Sequence, residues 1–480
     1  MKHNFHSSII RAYDIRGVYN ETLFDNDAFF VGKSFGSFLR QNHKKKISVA
    51  CDGRISSPIL KERLIQGLLD CGLEVFDVGL GPTPMLYFSV YHLDLDAGIM
   101  VTGSHNPKDH NGFKMLLRER PFFGDDIKNL AEIAKKGDFV KDSVKGESSL
   151  QNHDISEDYI ERILSNCVLA ESESPLLDDL DEFTPKKKLK IAWDNGNGAA
   201  GVIMKKLSER IAANHILLYE EINGNFPNHH PDPTMPKNLQ DLIGIVKEEN
   251  CDLGIAFDGD GDRIGVVDNE GEIIFGDQLM VFYAREILKE KKGATIIADV
   301  KASNVLFDEI AKAGGNPLMW KTGHSFVKAK MKETGAVLAG EMSGHIFFAD
   351  KYYGFDDALY AAVRLIDIVE NSKFSLAHMR KSLPKTFSTP EIRIECDEEK
   401  KFKIVDDLKH NLKKSGLEFN DVDGIRATTD KGWWLIRASN TQSVLVARCE
   451  ANSQKNLEKL KENLRKNLEF CQVKIPEELN

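Results

Sequence analysis

The sequence predicts an α/β protein built on parallel sheets, because short apolar runs alternate with longer amphipathic segments along most of its 480 residues. The runs predicted as strands span residues 47–51, 73–78, 97–101, 189–193, 253–257, 294–298 and 336–339. Helical patterns such as residues 58–71 separate them. Strands joined through helices run parallel, and ligands bind beyond the carboxyl ends of such strands.

Length and composition bound the class of protein. At roughly 150 residues per domain, the chain predicts three or four domains. A formal charge of −10 argues against a nucleic-acid partner, which would need a basic face. Seven scattered cysteines without a C-x-x-C pair indicate reduced thiols. Since the sequence shows neither a signal peptide nor an apolar run of about 18 residues, we expect a cytoplasmic protein away from membranes.

The first candidate site follows the strand predicted at residues 97–101. Residues 102–107 read Thr-Gly-Ser-His-Asn-Pro, so Ser104 lies in a turn at the carboxyl end of a buried strand. A single serine in such a place is usually only a turn residue. Residues 320–324 repeat the Thr-Gly pattern after another apolar strand, which is a short internal echo.

A run of alternating carboxylates follows the strand predicted at residues 253–257. Asp258, Asp260 and Asp262 are separated by glycines and followed by Arg263, so their oxygens can converge on one hard cation. An EF-hand loop is excluded, because its sixth and twelfth positions would be Arg263 and Asn269. The pattern predicts a Mg²⁺ site, with a purely structural acidic turn as the alternative.

Two further loops carry groups suited to a phosphorylated sugar. In residues 340–345, Glu341 and Ser343 can hold sugar hydroxyls, although a plain turn would look the same. In residues 437–441, an arginine, hydroxyls, an amide and backbone N–H groups can form a phosphate site. No Walker P-loop motif occurs. Candidate proton carriers or phosphate partners are Arg16, Lys114, Lys301 and His324.

Together these motifs resemble the α-D-phosphohexomutase family, and within it the bacterial phosphomannomutase/phosphoglucomutase type. Four motifs stand in the family order, at residues 102–107, 258–263, 340–345 and 437–441. Residues 13–17 and 223–233 add to the resemblance, which covers the chain from Arg11 to about Glu469.

The resemblance implies four domains around a central cleft, three of similar mixed α/β topology and a C-terminal α+β domain. Their expected bounds are residues 1–150 with the phosphoserine loop, 151–271 with the metal loop, 272–384 with the sugar loop and 385–480 with the phosphate loop. It also implies reversible interconversion of hexose 1-phosphate and hexose 6-phosphate through a phosphoserine and a hexose 1,6-bisphosphate intermediate. We expect a monomer that acts on small sugar phosphates.

The resemblance also assigns roles to residues. Ser104 would carry the phosphoryl group and bind Mg²⁺ together with the three loop aspartates. The other catalytic residues implied are Lys114, His324, Arg16, Arg263 and His105. The substrate-binding residues implied are Tyr13, Lys301, Glu341, Ser343, His345, Arg437, Ser439, Asn440 and Thr441.

The identity of the sugar depends on one position. Met342 in the sugar loop resembles family members that act on mannose and glucose phosphates, whereas glucosamine-phosphate mutases carry glutamine there. Two alternatives stay open: a phosphoglucosamine mutase and a Mg²⁺-dependent sugar phosphatase. Residues 164–188 are acidic and end in three lysines, which predicts a surface insertion or linker.

Overall fold

Over its described residues, the chain folds into four β-sheets, each packed against helices. The computed structural model describes residues 1–140, 148–170, 188–397, 399–439 and 443–479. The first three sheets mix parallel and antiparallel strands, and the fourth is antiparallel. The predicted α/β class with a C-terminal α+β unit is confirmed.

The first unit contains a seven-stranded sheet. Its elements are β1 (Ile15–Val18), α1 (Asp25–Gln41), β2 (Lys46–Cys51), α2 (Ser57–Leu69), β3 (Glu74–Leu80), α3 (Thr83–His92), β4 (Ala97–Val101), β5 (His110–Leu117), β6 (Arg120–Pro121), α4 (Asp125–Lys136) and β7 (Ser149–Asn152). The order is β1-β5-β4-β2-β3-β7, with β6 beside β5. Local sequence fixes the ends of α4: two aspartates begin it, two lysines lie in its last turn, and Gly137 ends it in a left-handed conformation.

The second unit follows the connecting helix α5 (Ser156–Leu164). Its elements are β8 (Lys190–Asp194), α6 (Gly201–Arg210), β9 (Asn214–Leu218), α7 (Gln240–Glu248), β10 (Leu253–Phe257), β11 (Ile264–Asp268) and β12 (Ile273–Ile274). The sheet order is β12-β11-β10-β8-β9. All residues of β10 and β11 are buried, as expected for strands covered on both faces.

The third unit has a four-stranded sheet in the order β14-β13-β15-β16. Its elements are α8 (Gly276–Glu290), β13 (Thr295–Asp299), α9 (Asn304–Lys312), β14 (Asn316–Trp320), α10 (His324–Thr334), β15 (Leu338–Gly340), β16 (Ile346–Phe348), α11 (Ala358–Glu370) and α12 (Leu376–Lys381). The Asp357 side chain caps α11 by accepting a hydrogen bond from Tyr360 N.

The fourth unit is an antiparallel sheet with two long helices. Its elements are β17 (Phe387–Ser388), β18 (Ile392–Glu395), α13 (Lys401–Ser415), β19 (Phe419–Asn420), β20 (Ile425–Thr429), β21 (Gly432–Ala438), β22 (Val444–Ala451) and α14 (Gln454–Phe470). Short 3₁₀ turns lie at Ser7–Ile9, Pro236–Leu239 and Glu477–Leu479. Leucines at helical spacing form the buried face of α14.

The first three sheets repeat one arrangement of four strands. Strands β2, β8 and β13 hold equivalent places, each between two parallel neighbours. On one side lie β4, β10 and β15, and each of these pairs with an antiparallel strand that follows it directly in the chain: β5, β11 and β16. The loops that join these antiparallel pairs therefore occupy corresponding positions in the three units.

The units pack closely on one another. One continuous apolar core includes α3 of the first unit and most of the second and third units, while the fourth unit has a core of its own. The predicted boundary at residues 150/151 falls inside β7, which pairs with β3 in the first sheet. The boundary at 271/272 separates β12 from its partner β11. Of the predicted insertion at 164–188, residues 171–187 lie outside the described residues.

Among the residues that the structure describes, no helix combines the length and the apolar character needed to cross a bilayer.

Candidate active site

The corresponding loops of the first three units meet. They comprise residues 102–109, 258–263 and 341–345, each at the carboxyl end of a buried strand. Ser104 Oγ donates a hydrogen bond to Asp258 Oδ2 over 3.3 Å, which joins the first loop to the second. His345 Nδ1 donates to the Asp262 carbonyl over 3.1 Å, which joins the third loop to the second. The fold thus brings the predicted serine, carboxylate and sugar loops into one site.

Ser104 is held in an unusual conformation. Its φ of +51° lies in the left-handed region, which residues other than glycine rarely adopt. Its backbone N–H donates to Thr102 Oγ1 over 2.8 Å, and its Oγ lies 3.2 Å from His105 Nδ1. Burial, followed by the charges of Arg263 and Arg16, lowers the pKa of His105 well below its usual value, so this imidazole is neutral.

The three loop aspartates suit a hard cation. Asp258, Asp260 and Asp262 are fully buried, and one oxygen from each lies within 4.8 Å of the others. Within the described part of the chain, Asp260 Oδ1 and Asp262 Oδ1 accept no hydrogen bond. Burial, together with the charges of Asp262 and Asp260, raises the pKa of Asp258 well above its usual range. A divalent cation would relieve this repulsion and ligate the orphaned oxygens, so the residues fit a metal site.

Lys114 stands against two of these carboxylates. It lies on β5 opposite Met100, and its Nζ is 2.6 Å from Asp260 Oδ2 and 2.5 Å from Asp262 Oδ2. Burial alone would favour the neutral amine, but the charges of Asp260 and Asp262 outweigh it and raise the pKa of Lys114. Lys114 therefore lies in the carboxylate cluster as an ammonium.

Two predicted arginines lie on either side of this group. Arg16 is on β1 beside Gly112 of β5, and it forms an ion pair with Asp14. Arg263 Nε donates to His345 Nε2 over 3.0 Å. Because His345 donates from Nδ1 and accepts at Nε2, its neutral tautomer is fixed and it supports Arg263.

His324 begins α10 and lies, partly buried, beside a second lysine. Lys328 Nζ donates to His324 Nδ1 over 3.2 Å, which places the proton of the neutral ring on Nε2. Burial and then the charge of Lys328 lower the pKa of His324 well below its usual value. The ring of His345 stacks at a centroid distance of 5.6 Å.

A carboxylate that sequence reasoning missed connects these basic groups. Asp356 is fully buried, and its oxygens lie 2.8 Å from Lys328 Nζ, 3.1 Å from His345 Nδ1 and 3.5 Å from His324 Nδ1. The only signal in the sequence is the Asp356-Asp357 doublet before α11, in which Asp357 reads as a helix cap. Nothing in the doublet indicates that the first aspartate faces two histidines more than ten residues away.

The expected sugar contacts lie next to His324. Glu341 accepts a hydrogen bond from Gly323 N and lies 3.5 Å from Ser343 Oγ, which donates to it. Tyr13 of the first unit donates its hydroxyl proton to the Thr322 carbonyl over 3.0 Å. Met342 is in contact with the guanidinium of Arg448. The sugar loop is thereby connected to both the first and the fourth units.

The expected phosphate contacts come from the third and fourth units. Lys301 Nζ lies 3.1 Å from Glu391 Oε2, and its charge lowers the pKa of Glu391 to about 2. Arg437 Nε donates to Asp423 Oδ2 over 2.9 Å, and Ser439 is buried nearby on the chain after β21. The other two predicted ligands, Asn440 and Thr441, lie outside the described residues.

Family models match almost the whole chain in four consecutive parts. Models described as phosphoglucomutase/phosphomannomutase alpha/beta/alpha domains I, II and III match residues 7–141, 157–271 and 275–387. The model of the C-terminal domain of the same family matches residues 391–467.

Relatives and a solved structure agree with these matches. A phosphomannomutase/phosphoglucomutase of Pseudomonas aeruginosa is 44% identical over 470 residues, covering 98% of this chain and 97% of its own. A phosphoglucomutase of Neisseria gonorrhoeae is 40% identical, with 94% and 95% covered. The crystal structure of a family protein from Burkholderia thailandensis superposes with a TM-score of 0.89 at 40% identity, covering 98% of this chain and all of the other. The chain therefore belongs to the phosphoglucomutase/phosphomannomutase family of phosphohexomutases.

Proposed function

We propose that this chain interconverts hexose 1-phosphate and hexose 6-phosphate, with mannose and glucose phosphates as substrates and Ser104 as the phosphoryl carrier. The observation that supports this most is the contact of Ser104 Oγ with Asp258 Oδ2 over 3.3 Å, in the carboxylate cluster that also binds the Lys114 ammonium. A hydroxyl held between carboxylates and an ammonium suits phosphoryl transfer, where catalysis rests on positioning and charge.

The reaction takes place in two reversible halves. In the first, the free hydroxyl of a hexose monophosphate attacks the phosphorus of phosphorylated Ser104, the bond from phosphorus to Ser104 Oγ breaks, and a hexose 1,6-bisphosphate forms. In the second, Ser104 Oγ attacks the phosphorus at the other end, and the bond to that sugar oxygen breaks. The bisphosphate must reverse its orientation between the halves, so we propose it as the intermediate and as the activator.

The aspartates would hold Mg²⁺ together with an oxygen of phosphorylated Ser104. When bound, Mg²⁺ supplies positive charge to the phosphoryl oxygens as their charge increases. Lys114, Arg16 and Arg263 add positive charge to the same region. His105, neutral and partly buried, lies within hydrogen-bonding distance of Ser104 Oγ.

We assign proton transfer at the sugar oxygen to His324 and proton transfer at Ser104 Oγ to Lys114. The Lys114 ammonium gives a proton to Oγ as its bond to phosphorus breaks in the first half, and takes that proton back when Oγ attacks in the second. His324 carries its proton on Nε2 and can give it to the sugar oxygen that leaves phosphorus in the second half. As Nε2 loses its proton, Nδ1 can take one from Lys328, which keeps the ring neutral. The first half uses the same groups in reverse.

The remaining groups hold the substrate. Glu341 and Ser343 suit two sugar hydroxyls, while Arg437, Ser439, Asn440 and Thr441 suit the phosphate that does not react. Tyr13, Lys301 and His345 complete this part of the proposal. Since mannose and glucose differ only at C2, contacts to other hydroxyls would accept both sugars.

One experiment separates this function from its alternatives. Mannose, glucose and glucosamine 1-phosphates are supplied side by side with Mg²⁺ and catalytic hexose 1,6-bisphosphate, and 6-phosphate and free phosphate are both measured. Comparable mannose and glucose rates without free phosphate are expected. A glucosamine preference would favour the phosphoglucosamine mutase, and phosphate release equal to substrate loss would overturn the mutase in favour of a phosphatase.

The serine is tested by Ser104→Ala, with Ser56→Ala, a nearby buried serine of the same unit, as the matched control. The alanine variant should stay folded and lose roughly 10³-fold or more in kcat. Near-normal turnover would refute the covalent role. The monomeric state and the cytoplasmic location stay predictions, and light scattering tests the first of them.

A further inference from the structure

A buried arginine lies under the serine loop. Arg54 follows β2, is 2% exposed, and directs its guanidinium at the loop that carries Ser104. Nη2 donates to the carbonyls of Ser104 and Asn106 over 2.7 and 2.6 Å. Nη1 donates to the carbonyls of Pro107 and His110 over 2.5 and 2.9 Å. Four carbonyls of one short loop therefore converge on a single side chain.

The fifth donor of this guanidinium is also used. Arg54 Nε donates to Asp52 Oδ2 over 3.2 Å, so all five N–H groups that an arginine possesses have acceptors. A lysine could not reproduce this planar arrangement, because its ammonium is a single point with three donors. Without the guanidinium, the carbonyl of the buried Ser104 would lose the donor that Arg54 supplies, and an unpaired buried carbonyl destabilises the conformation that holds it.

Asp52 binds the opposite side of the same loop. Its Oδ2 accepts hydrogen bonds from Thr102 Oγ1 over 2.8 Å and from Gly103 N over 3.1 Å. Its Oδ1 accepts from Ser57 Oγ over 2.5 Å and from Arg54 N over 3.1 Å. The Asp52–Arg54 pair thus fixes the Thr102 hydroxyl and the Gly103 N–H at the start of the loop and the carbonyls further along it.

This fixation explains how Ser104 keeps its left-handed backbone. Such a conformation is unfavourable in a residue other than glycine and persists only where the surroundings enforce it. Here contacts hold the backbone on both sides of the serine: Asp52 accepts from Gly103 N before it, and Arg54 donates to the Ser104 carbonyl after it. At Gly103 a Cβ atom would lie 2.4 Å from Arg54 Cζ, so the loop can approach the guanidinium only because this residue is glycine.

The second unit covers the arginine. The ring of Phe226 lies 5.3 Å from Arg54 Cζ, a cation–π distance. A Cβ at Gly224 would lie 2.8 Å from Arg54 Cα, so the backbone of this segment passes directly over the arginine. The serine loop therefore has its full support only when the first and second units are docked, which is also when Asp258 reaches Ser104.

We infer that Arg54 is the positioning residue of the phosphoryl-carrying serine and that Phe226 seals it from water. This inference rests on the proposed function, since it assumes that Ser104 is the carrier. Arg54 itself touches no reacting atom. It acts by holding the Ser104 carbonyl, and with it the direction of Oγ toward Asp258.

The effect should fall on kcat rather than on KM. Displacing a reacting atom by about 1 Å can cost roughly 10²-fold in rate, whereas the sugar and distal phosphate are held by other units. We therefore expect Arg54→Lys and Arg54→Met to lower kcat by about 10²-fold, with KM changed less than about threefold. Arg54→Lys should rescue little, because it keeps the charge and loses the planar arrangement.

The test measures folding, kcat, KM and phosphoserine content after incubation with hexose 1,6-bisphosphate. Arg63→Lys is the matched control, since Arg63 lies on α2 of the same unit and its guanidinium pairs with Gln66. If Arg54→Met does not fold, the test uses Arg54→Lys and Phe226→Leu. Phe226→Leu is expected to lower kcat about tenfold, because water then reaches the guanidinium of Arg54.

Folded Arg54→Lys with wild-type kcat would overturn the inference. So would a loss explained wholly by a smaller folded fraction, with normal turnover per folded molecule. Ser104→Ala is assayed in parallel, so that failure of the proposed carrier role can be distinguished from failure of the positioning role. If Ser104→Ala were active, the proposed carrier would be wrong, whereas an inactive Ser104→Ala beside normal Arg54 variants would refute the positioning role alone.

Discussion

Lys328 Nζ lies 3.2 Å from Nδ1 of His324, and both partly buried side chains pack against the fully buried carboxylate of Asp356. The lysine is one helical turn beyond the histidine on α10, so the helix itself sets their spacing. This contact leaves Nε2 as the protonated nitrogen of the neutral imidazole, the nitrogen to which we assign proton transfer. It also places a positive charge beside a ring that must remain neutral to accept a proton.

Lys328→Met should therefore change the pH dependence of the reaction. Burial and then the charge of Lys328 lower the pKa of His324, so loss of the charge raises that pKa and leaves more of the ring protonated under mildly acidic conditions. We expect kcat to fall at all pH values, and the ratio of kcat at pH 6 to kcat at pH 8 to drop several-fold. Parallel profiles for variant and wild type would contradict the role of Lys328.

The matched control is Lys330→Met on the same helix, whose ammonium pairs with Glu333 and faces away from His324. It should leave the pH profile unchanged. Circular dichroism of both variants excludes a general loss of structure.

Metal dependence forms a second prediction. Chelation of divalent metal should abolish turnover, and Mg²⁺ should restore it. Asp260→Ala should lower kcat by about 10²–10³-fold and require more Mg²⁺ for half-maximal rate, because it removes a ligand and the partner of Lys114. Asp252→Ala, at the far end of the same strand, is the control. An unchanged Mg²⁺ requirement in Asp260→Ala would show that the metal lies elsewhere.

Sequence patterns identify the loops well, for a physical reason. Ser104, Asp258 and Glu341 each follow a fully buried apolar strand, so the strand ends mark them. Because the three sheets repeat one strand order, these loops occupy corresponding positions in their units, and the packing of the units brings them into one site. The echo between residues 100–105 and 320–324 pairs positions that are not equivalent, because the second follows β14, which corresponds to β3 and not to β4.

The residues that support the site were not predicted, since their partners are distant in the chain. Arg54 is 50 residues from Ser104, and Asp356 is 32 from His324. In sequence, the first looks like part of a turn after β2 and the second like a neighbour of a helix cap. Only the packing of one unit on another shows which carbonyls or imidazoles they face.

A third prediction concerns stability and uses two histidines of the second unit. His229 Nε2 lies 2.9 Å from Asp194 Oδ2. Burial opposes the charge on His229, but the hydrogen bond and charge of Asp194 outweigh it and raise the pKa of His229. A raised native pKa contributes stability at low pH that is lost as the pH rises through that pKa. His229→Gln should therefore cost about 1–2 kcal/mol at pH 5.5 and less at pH 8.5.

His215 gives the opposite sign and serves as the control. Burial lowers the pKa of His215, whose Nδ1 accepts from Trp193 Nε1 over 2.9 Å. His215→Gln should accordingly destabilise the protein more at pH 8.5 than at pH 5.5. Thermal melts of both variants at pH 5.5 and pH 8.5 test these opposite trends. The same pH trend in both would refute the assigned charge states.

The last prediction concerns Asp423, which joins the phosphate loop to the sugar site. Its Oδ2 accepts from Arg437 Nε over 2.9 Å and from Thr322 N over 3.0 Å, so one oxygen links the arginine expected to hold phosphate to the segment that leads into His324. Asp423→Ala should remove the hydrogen bonds to both Arg437 Nε and Thr322 N. Because a charge-assisted hydrogen bond contributes about 1.5–3 kcal/mol, we expect KM for the sugar phosphate to rise about tenfold or more.

A fall in kcat should accompany this rise in KM, since Thr322 positions His324. Asp421→Ala, exposed in the same turn, should change neither constant and is the control. A higher KM with normal kcat would mean that Asp423 orients Arg437 alone, and unchanged constants would mean that the phosphate loop is held by its other contacts. A higher KM together with a lower kcat in the folded variant would establish that binding of the distal phosphate and placement of His324 depend on the same carboxylate.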